Sequence, residues 1–126
     1  MYFLYLLSFF LSIKNLGLSF AANTFAMNYS NLLKVAETYG DPVYVYDSEK
    51  IISQFERLTQ AFGSVKNLKL NYAAKALSNI SILKLMNSLG SGLDTVSIQE
   101  VQLGLLAGFK PESIIFTPNG VSLEEI

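Results

Sequence analysis

Two spacings of apolar residues alternate along this chain, and the switch between them marks out its elements. From Ser30, Leu32, Leu33, Ala36 and Tyr39 fall on one helical face, and Gly40 follows as the residue that ends the helix. Asp41-Pro42 predicts a turn, because the residue before a proline is pushed out of the helical region. Val43 to Tyr46 is β-branched and aromatic throughout, which predicts a short strand. Asp47 or Ser48 then caps a helix whose Ile51, Phe55, Leu58 and Phe62 repeat at helical spacing up to Gly63.

Three strand–helix repeats follow. Leu68 to Lys75 reads as a strand, and Asn79 caps a helix carrying Ile82, Leu83, Met86 and Leu89, ended by Gly90. Leu93 to Ser97 reads as the second strand. Ser97 and Glu100 form a capping box before a helix bearing Val101, Leu105 and Leu106, closed at Gly108. Ile114 to Thr117 reads as the third strand, and Ser122 with Glu125 has the form of a further capping box. Strands with helices between them every twenty-odd residues are the βαβ rhythm of an α/β protein with a parallel sheet. Right-handed crossovers place the helices outside. Rhythm alone allows both a closed eight-stranded barrel and an open doubly wound sheet.

The ends change the picture. Tyr2 to Ile13 is an apolar run broken only by Ser8 and Ser12, too short for the roughly 20 residues that span a bilayer. As a targeting segment it lacks the preceding positive charge, since Lys14 is the first. The missing charge favours a mis-assigned start, with Met27 as the working one. A capping box at Ser122 opens a helix that Ile126 cuts short, so a truncated chain is expected.

Composition narrows the chemistry. With 51% hydrophobic residues the chain is no disordered tail, and a net charge of −1 gives no footprint for nucleic acid and no polybasic membrane patch. Cysteine and histidine are both absent. Disulfides, thiolate metal sites, a cysteine nucleophile and a Ser-His-Asp triad are thereby excluded, and no metal site is expected. Lysine, carboxylates, tyrosine and a borrowed cofactor remain.

Reactive groups of parallel α/β folds gather at the carboxyl ends of the strands, and Lys75 is expected at such an end. Alternation puts Asn71, Ala73 and Lys75 on one face and Leu70, Tyr72 and Ala74 on the other, toward the helices. Ala73 is small and leaves room beside the amine for a flat ring. An imine-forming lysine needs this: a pocketed amine on a rigid element. On spacing alone, though, a lysine here is more often simply solvated.

Tyr72-Ala73-Ala74-Lys75-Ala76, followed by Ser78-Asn79, resembles the cofactor-lysine segment of the diaminopimelate decarboxylases. More widely it is similar to the alanine-racemase-like, fold type III barrel enzymes, which include ornithine and arginine decarboxylases. Tyr39-Gly40-Asp41-Pro42-Val43-Tyr44-Val45-Tyr46-Asp47 resembles the family's opening segment. Gly90-Ser91-Gly92-Leu93-Asp94-Thr95-Val96-Ser97 with Glu100 resembles its second-strand motif, and Ala107-Gly108-Phe109 with Ile114-Ile115-Phe116-Thr117-Pro118-Asn119-Gly120 its third. Each is weak singly; four in order, spaced to fit the strands above, are a specific signature.

The resemblance implies an incomplete TIM (β/α)8 barrel. Its first three strand–helix units would occupy residues 48–126, residues 27–47 would pack with a second β domain, and residues 1–26 would be the leader or mis-assigned start. It implies pyridoxal 5'-phosphate as cofactor, held covalently by Lys75, with Ala73 and Asp94 beside it and Asp94 tuning the amine. Asp94 equally suits a plain structural carboxylate, and Glu100 is already explained by its capping box. Gly90 and Gly92 follow a helix and precede a strand, the wrong order for a phosphate-cradling loop. Asn119-Gly120 has the right order but reads first as a turn. The sequons at Asn28 and Asn79 carry little weight.

The implied reaction is decarboxylation of meso-diaminopimelate to L-lysine and carbon dioxide by a cytoplasmic homodimer acting on a small amino acid, without nucleic acid or membrane. Another decarboxylase or a racemase on the same barrel, and a non-catalytic cofactor-binding protein, are the alternatives. Three units cannot close a barrel that typically needs about 250 residues. The chain alone is therefore expected to be inactive and poorly stable.

Overall fold

The computed structural model describes residues 27–122 and 124. The apolar run at 2–13, and Glu125 of the last capping box, lie outside the described residues. Beside it, a backbone hydrogen bond at Glu124, and after it the Ser122 hydroxyl, hold the exposed Glu124 carboxyl below the usual carboxylate range. The chain divides into two compact units, residues 1–51 and 52–126.

In the first unit, helix α1 (Tyr29–Tyr39) begins where the sequence expects it. The Asn28 side chain accepts from the Asn31 amide at 2.9 Å. Gly40, at φ +85°, donates its amide to the Ala36 carbonyl at 2.8 Å, a backbone conformation that glycine supplies without strain. The buried position is Val35, while Leu33 and Tyr39 of the expected face are exposed. The strand expected at Val43–Tyr46 does not form. A strand needs a neighbour to take its hydrogen bonds, and among the described residues this segment pairs with none.

Helix α2 (Ser48–Ala61) follows. The Asp47 carboxylate caps it by accepting from the Lys50 amide at 2.9 Å. Of its expected apolar face Ile51 and Phe55 are half-buried, while Leu58 and the following Phe62 are exposed.

The second unit holds a three-stranded parallel sheet in the order β1 (Asn71–Ala73), β2 (Gly92–Thr95), β3 (Ile114–Phe116). Helix α3 (Ile80–Ser88) joins β1 to β2, and α4 (Ile98–Leu106) joins β2 to β3. The expected βαβ rhythm is therefore real, with each strand shorter than its apolar run. Asn79 caps α3 by accepting from the Ser81 and Ile82 amides at 2.9 and 3.3 Å. The Ser97 hydroxyl caps α4 by accepting from the Glu100 amide at 3.3 Å.

Register places Tyr72, Leu93 and Ile114 side by side on one face of the sheet. Helix α4 lies on that face through Gly104, where an added β-carbon would collide with the Leu93 side chain and meet Ile114 Cδ1 at 3.3 Å. The core gathers beneath it: Leu93, Leu83, Ile82, Met86, Ala107 and Phe109 are buried. The sequence pattern had chosen Leu105 and Leu106 for this helix's inner face, and both are exposed. Close approach of backbone to sheet selects the small residue, and the two leucines turn outward.

Substituting Gly104→Ala tests that approach. Alanine improves helix propensity by up to about 1 kcal/mol, but Leu93 is fully buried and has nowhere to move. Overpacking of about 1–3 kcal/mol should win, and a lower urea midpoint is expected. An unchanged or raised midpoint would show that α4 stands off the sheet.

Candidate active site at the carboxyl rim of the sheet

The site is built at the carboxyl end of β1. Ala74, Lys75 and Ala76 are strong helix formers, and after Ala73 the chain leaves the ladder into a 3-10 turn, Ala74–Ala76. The Leu77 amide closes the turn on the Ala74 carbonyl at 3.1 Å, and the Tyr72 hydroxyl donates to the Leu77 carbonyl at 3.0 Å. Ala74 is fully buried and anchors the turn. Lys75 therefore stands just past the strand end, not on the strand as alternation predicts. Its side chain is exposed, not pocketed, since among the described residues the three strands supply no opposite wall. Among the described residues it has no hydrogen-bond or ion-pair partner.

Asp94 pairs in register with Ala73 on one side and Ile115 on the other. These three share the face opposite α4, by alternation from Tyr72, Leu93 and Ile114. Ala73 and Asp94 are thus lateral neighbours on adjacent strands, both half-buried, at the roughly 4.8 Å spacing of a sheet. Beyond β3, the Thr117 hydroxyl donates to Asp94 Oδ1 at 2.8 Å. The Thr117 amide donates to the Thr95 carbonyl at 2.8 Å. The rim thus brings together Ala73 and Asp94, with Lys75 two residues beyond Ala73.

Glu100 is occupied elsewhere. Its Oε2 accepts from the Val96 amide at 2.8 Å, one residue earlier than the Ser97 amide that a capping box predicts. Gly92 has a reason beyond turn-making: the Asn71 side chain lies where its β-carbon would be. Gly90 and Gly120 sit at φ +81° and +71°, in keeping with turns. Sequence reasoning missed Thr117 as a partner of Asp94. The available signal was a hydroxyl two residues past Ile115, on the same alternating face.

The donor set suits one end of a pyridoxal phosphate: an amine without a competing partner, a methyl-sized neighbour, and a carboxylate able to meet a cationic nitrogen. Among the described residues no cluster of histidine, cysteine, aspartate or glutamate could hold a metal ion, and no helix is long and apolar enough to cross a membrane.

The parallel βαβ layer, with an exposed lysine just past its first strand, places the chain among α/β proteins. The family described as pyridoxal-dependent decarboxylase, pyridoxal binding domain, matches residues 48–126, more than half of the sequence, and the chain belongs to that family. A diaminopimelate decarboxylase of Helicobacter pylori is 48% identical over 99 residues, which cover 79% of this chain and 24% of that protein. One from Methanothermobacter thermautotrophicus is 36% identical over 98 residues, covering 77% and 23%. A crystal structure of a mutant Helicobacter pylori diaminopimelate decarboxylase complexed with L-lysine superposes with a TM-score of 0.66 at 44% identity, covering 78% of this chain and 24% of that one. The chain spans about a quarter of the length of the relatives it matches.

Proposed function

We propose that this chain is the cofactor-lysine portion of an enzyme that decarboxylates meso-diaminopimelate to L-lysine and carbon dioxide. The observation that carries the reading is the unpartnered Lys75 amine just past β1, with Ala73 and Asp94 on adjacent strands, inside the segment matched by the pyridoxal binding domain. The β1–β3 layer would be the first three units of a (β/α)8 barrel, with residues 27–47 packing on a second domain. A cytoplasmic homodimer follows from the same family reading.

Lys75 would hold pyridoxal phosphate through its amine, and the chemistry that cofactor supplies when bound is a ring able to take up the electron pair left as carbon dioxide departs. The chain's own part is placement. Tyr72 and Ala74 fix the turn that carries the amine, and Ala73 leaves space next to it. Asp94 offers a carboxylate to the protonated nitrogen of cofactor or substrate, favouring its charged form. Lys75 would be the residue that holds the cofactor between turnovers.

A chimera tests this reading. Residues 28–126 would replace the matching quarter of the Helicobacter pylori enzyme. Carbon dioxide release should be faster with meso-diaminopimelate than with ornithine or arginine. A preference for ornithine or arginine would move the chain to another branch of the family. The isolated 126-residue chain should release no carbon dioxide.

A further inference from the structure

From the reach of one hydroxyl we infer that Thr117 is a positioning residue, which pins the Asp94 carboxylate toward β3 and leaves its second oxygen to receive a protonated nitrogen at the rim. The inference rests on the Lys75 reading and deepens it. Thr117 Oγ1 lies 2.8 Å from Asp94 Oδ1 and 3.2 Å from the Thr95 carbonyl. A hydroxyl has one proton to donate. The shorter, charge-assisted contact to the carboxylate takes it. Among the described residues Oδ2 accepts no hydrogen bond.

Sheet order explains why this matters. Asp94 lies on the central strand, with Ala73 of β1 on one side and Ile115 of β3 on the other. An untethered aspartate can rotate about two side-chain bonds. Bonding Oδ1 to the β3 side selects the arrangement in which a fixed acceptor remains for the β1 side, where Lys75 follows. The Thr117 main chain is held separately by its amide bond to Thr95. Removing the hydroxyl should therefore loosen the carboxylate while sparing the ladder.

The test uses the full 126-residue chain, pyridoxal 5'-phosphate as the probe, borohydride fixation, and site-resolved mass spectrometry. Lys84, exposed on α3, is the internal reference. In the parent chain Lys75 should be modified at lower probe concentration than Lys84. Thr117→Val should raise the half-saturating concentration at Lys75 by about three- to tenfold, with Lys84 unmoved. Thr117→Ser should restore it. Asp94→Asn should lose at least as much as Thr117→Val, and the double variant no more than Asp94→Asn alone, because the two groups act through one contact. In the probe-free chain, the Asp94 carboxylate carbon resonance should move in Thr117→Val and stay put in Thr117→Ser. Should the valine variant not fold, Thr117→Cys, with its weak donor, replaces it under the same expectation.

Unchanged Lys75 modification in the Thr117 variants, or additive losses in the double variant, would overturn the inference alone. Lys75 reacting no better than Lys84 in the parent chain would overturn the Lys75 reading, and this inference with it.

Discussion

Lys75→Arg should abolish the borohydride-fixed pyridoxyl group at position 75 and cut carbon dioxide release in the chimera on the order of a thousandfold or more. Arginine preserves the positive charge and most of the length, so an electrostatic role would survive the change. A guanidinium does not lose its proton in proteins and cannot act as the amine nucleophile. Lys75 is exposed and makes no hydrogen bond among the described residues, so stability should move by no more than about 0.5 kcal/mol. The combination is diagnostic: full loss of the adduct at constant urea midpoint. Residual turnover within tenfold of the parent would mean that the linking amine is another lysine.

Leu93→Ala should destabilise the second unit by about 2–5 kcal/mol. Leu93 is fully buried, stands in register between Tyr72 and Ile114, and fills the space beneath Gly104. Truncation leaves a cavity that α4 cannot fill, because a glycine has no side chain to lower into it. Against the 5–15 kcal/mol of an ordinary domain, and less for a sheet of three short strands, the variant should populate unfolded chain without denaturant. Near-native urea unfolding would show that the helix and sheet are not packed as described.

The elements of the fold were largely legible because capping is local chemistry. Asp47, Asn79 and Ser97 each cap the helix that the sequence assigns them, whereas the Asn28 cap emerges only in the structure. Their geometry depends on three or four consecutive residues only. The segment at Val43–Tyr46 misled for the opposite reason: strand propensity becomes a strand only when a second strand accepts it. Leu105 and Leu106 misled because periodicity cannot tell that a glycine, one step around the helix, lets two backbones come close.

At the rim, the sequence marked Lys75 and Asp94 but not the detail that governs them. Alternation was carried two residues too far, across a turn that alanine propensity favours. Register alone shows that Ala73 and Asp94 are neighbours, and pairing across 21 residues of chain leaves no local trace. The bond from Thr117 to Asp94 spans 23 positions, and the alternation that puts Thr117 on the right face becomes useful only once the register is known.

The short turn after β1 has a mechanical consequence. Ladder bonds hold residues 71–73, whereas the amine rides on a bracket fastened by a single phenol and one fully enclosed methyl group. A load on the amine would therefore reach the turn before it reached the ladder. If Lys75 carries a cofactor as proposed, its amine is joined to the sheet through a pivot and not through a clamp.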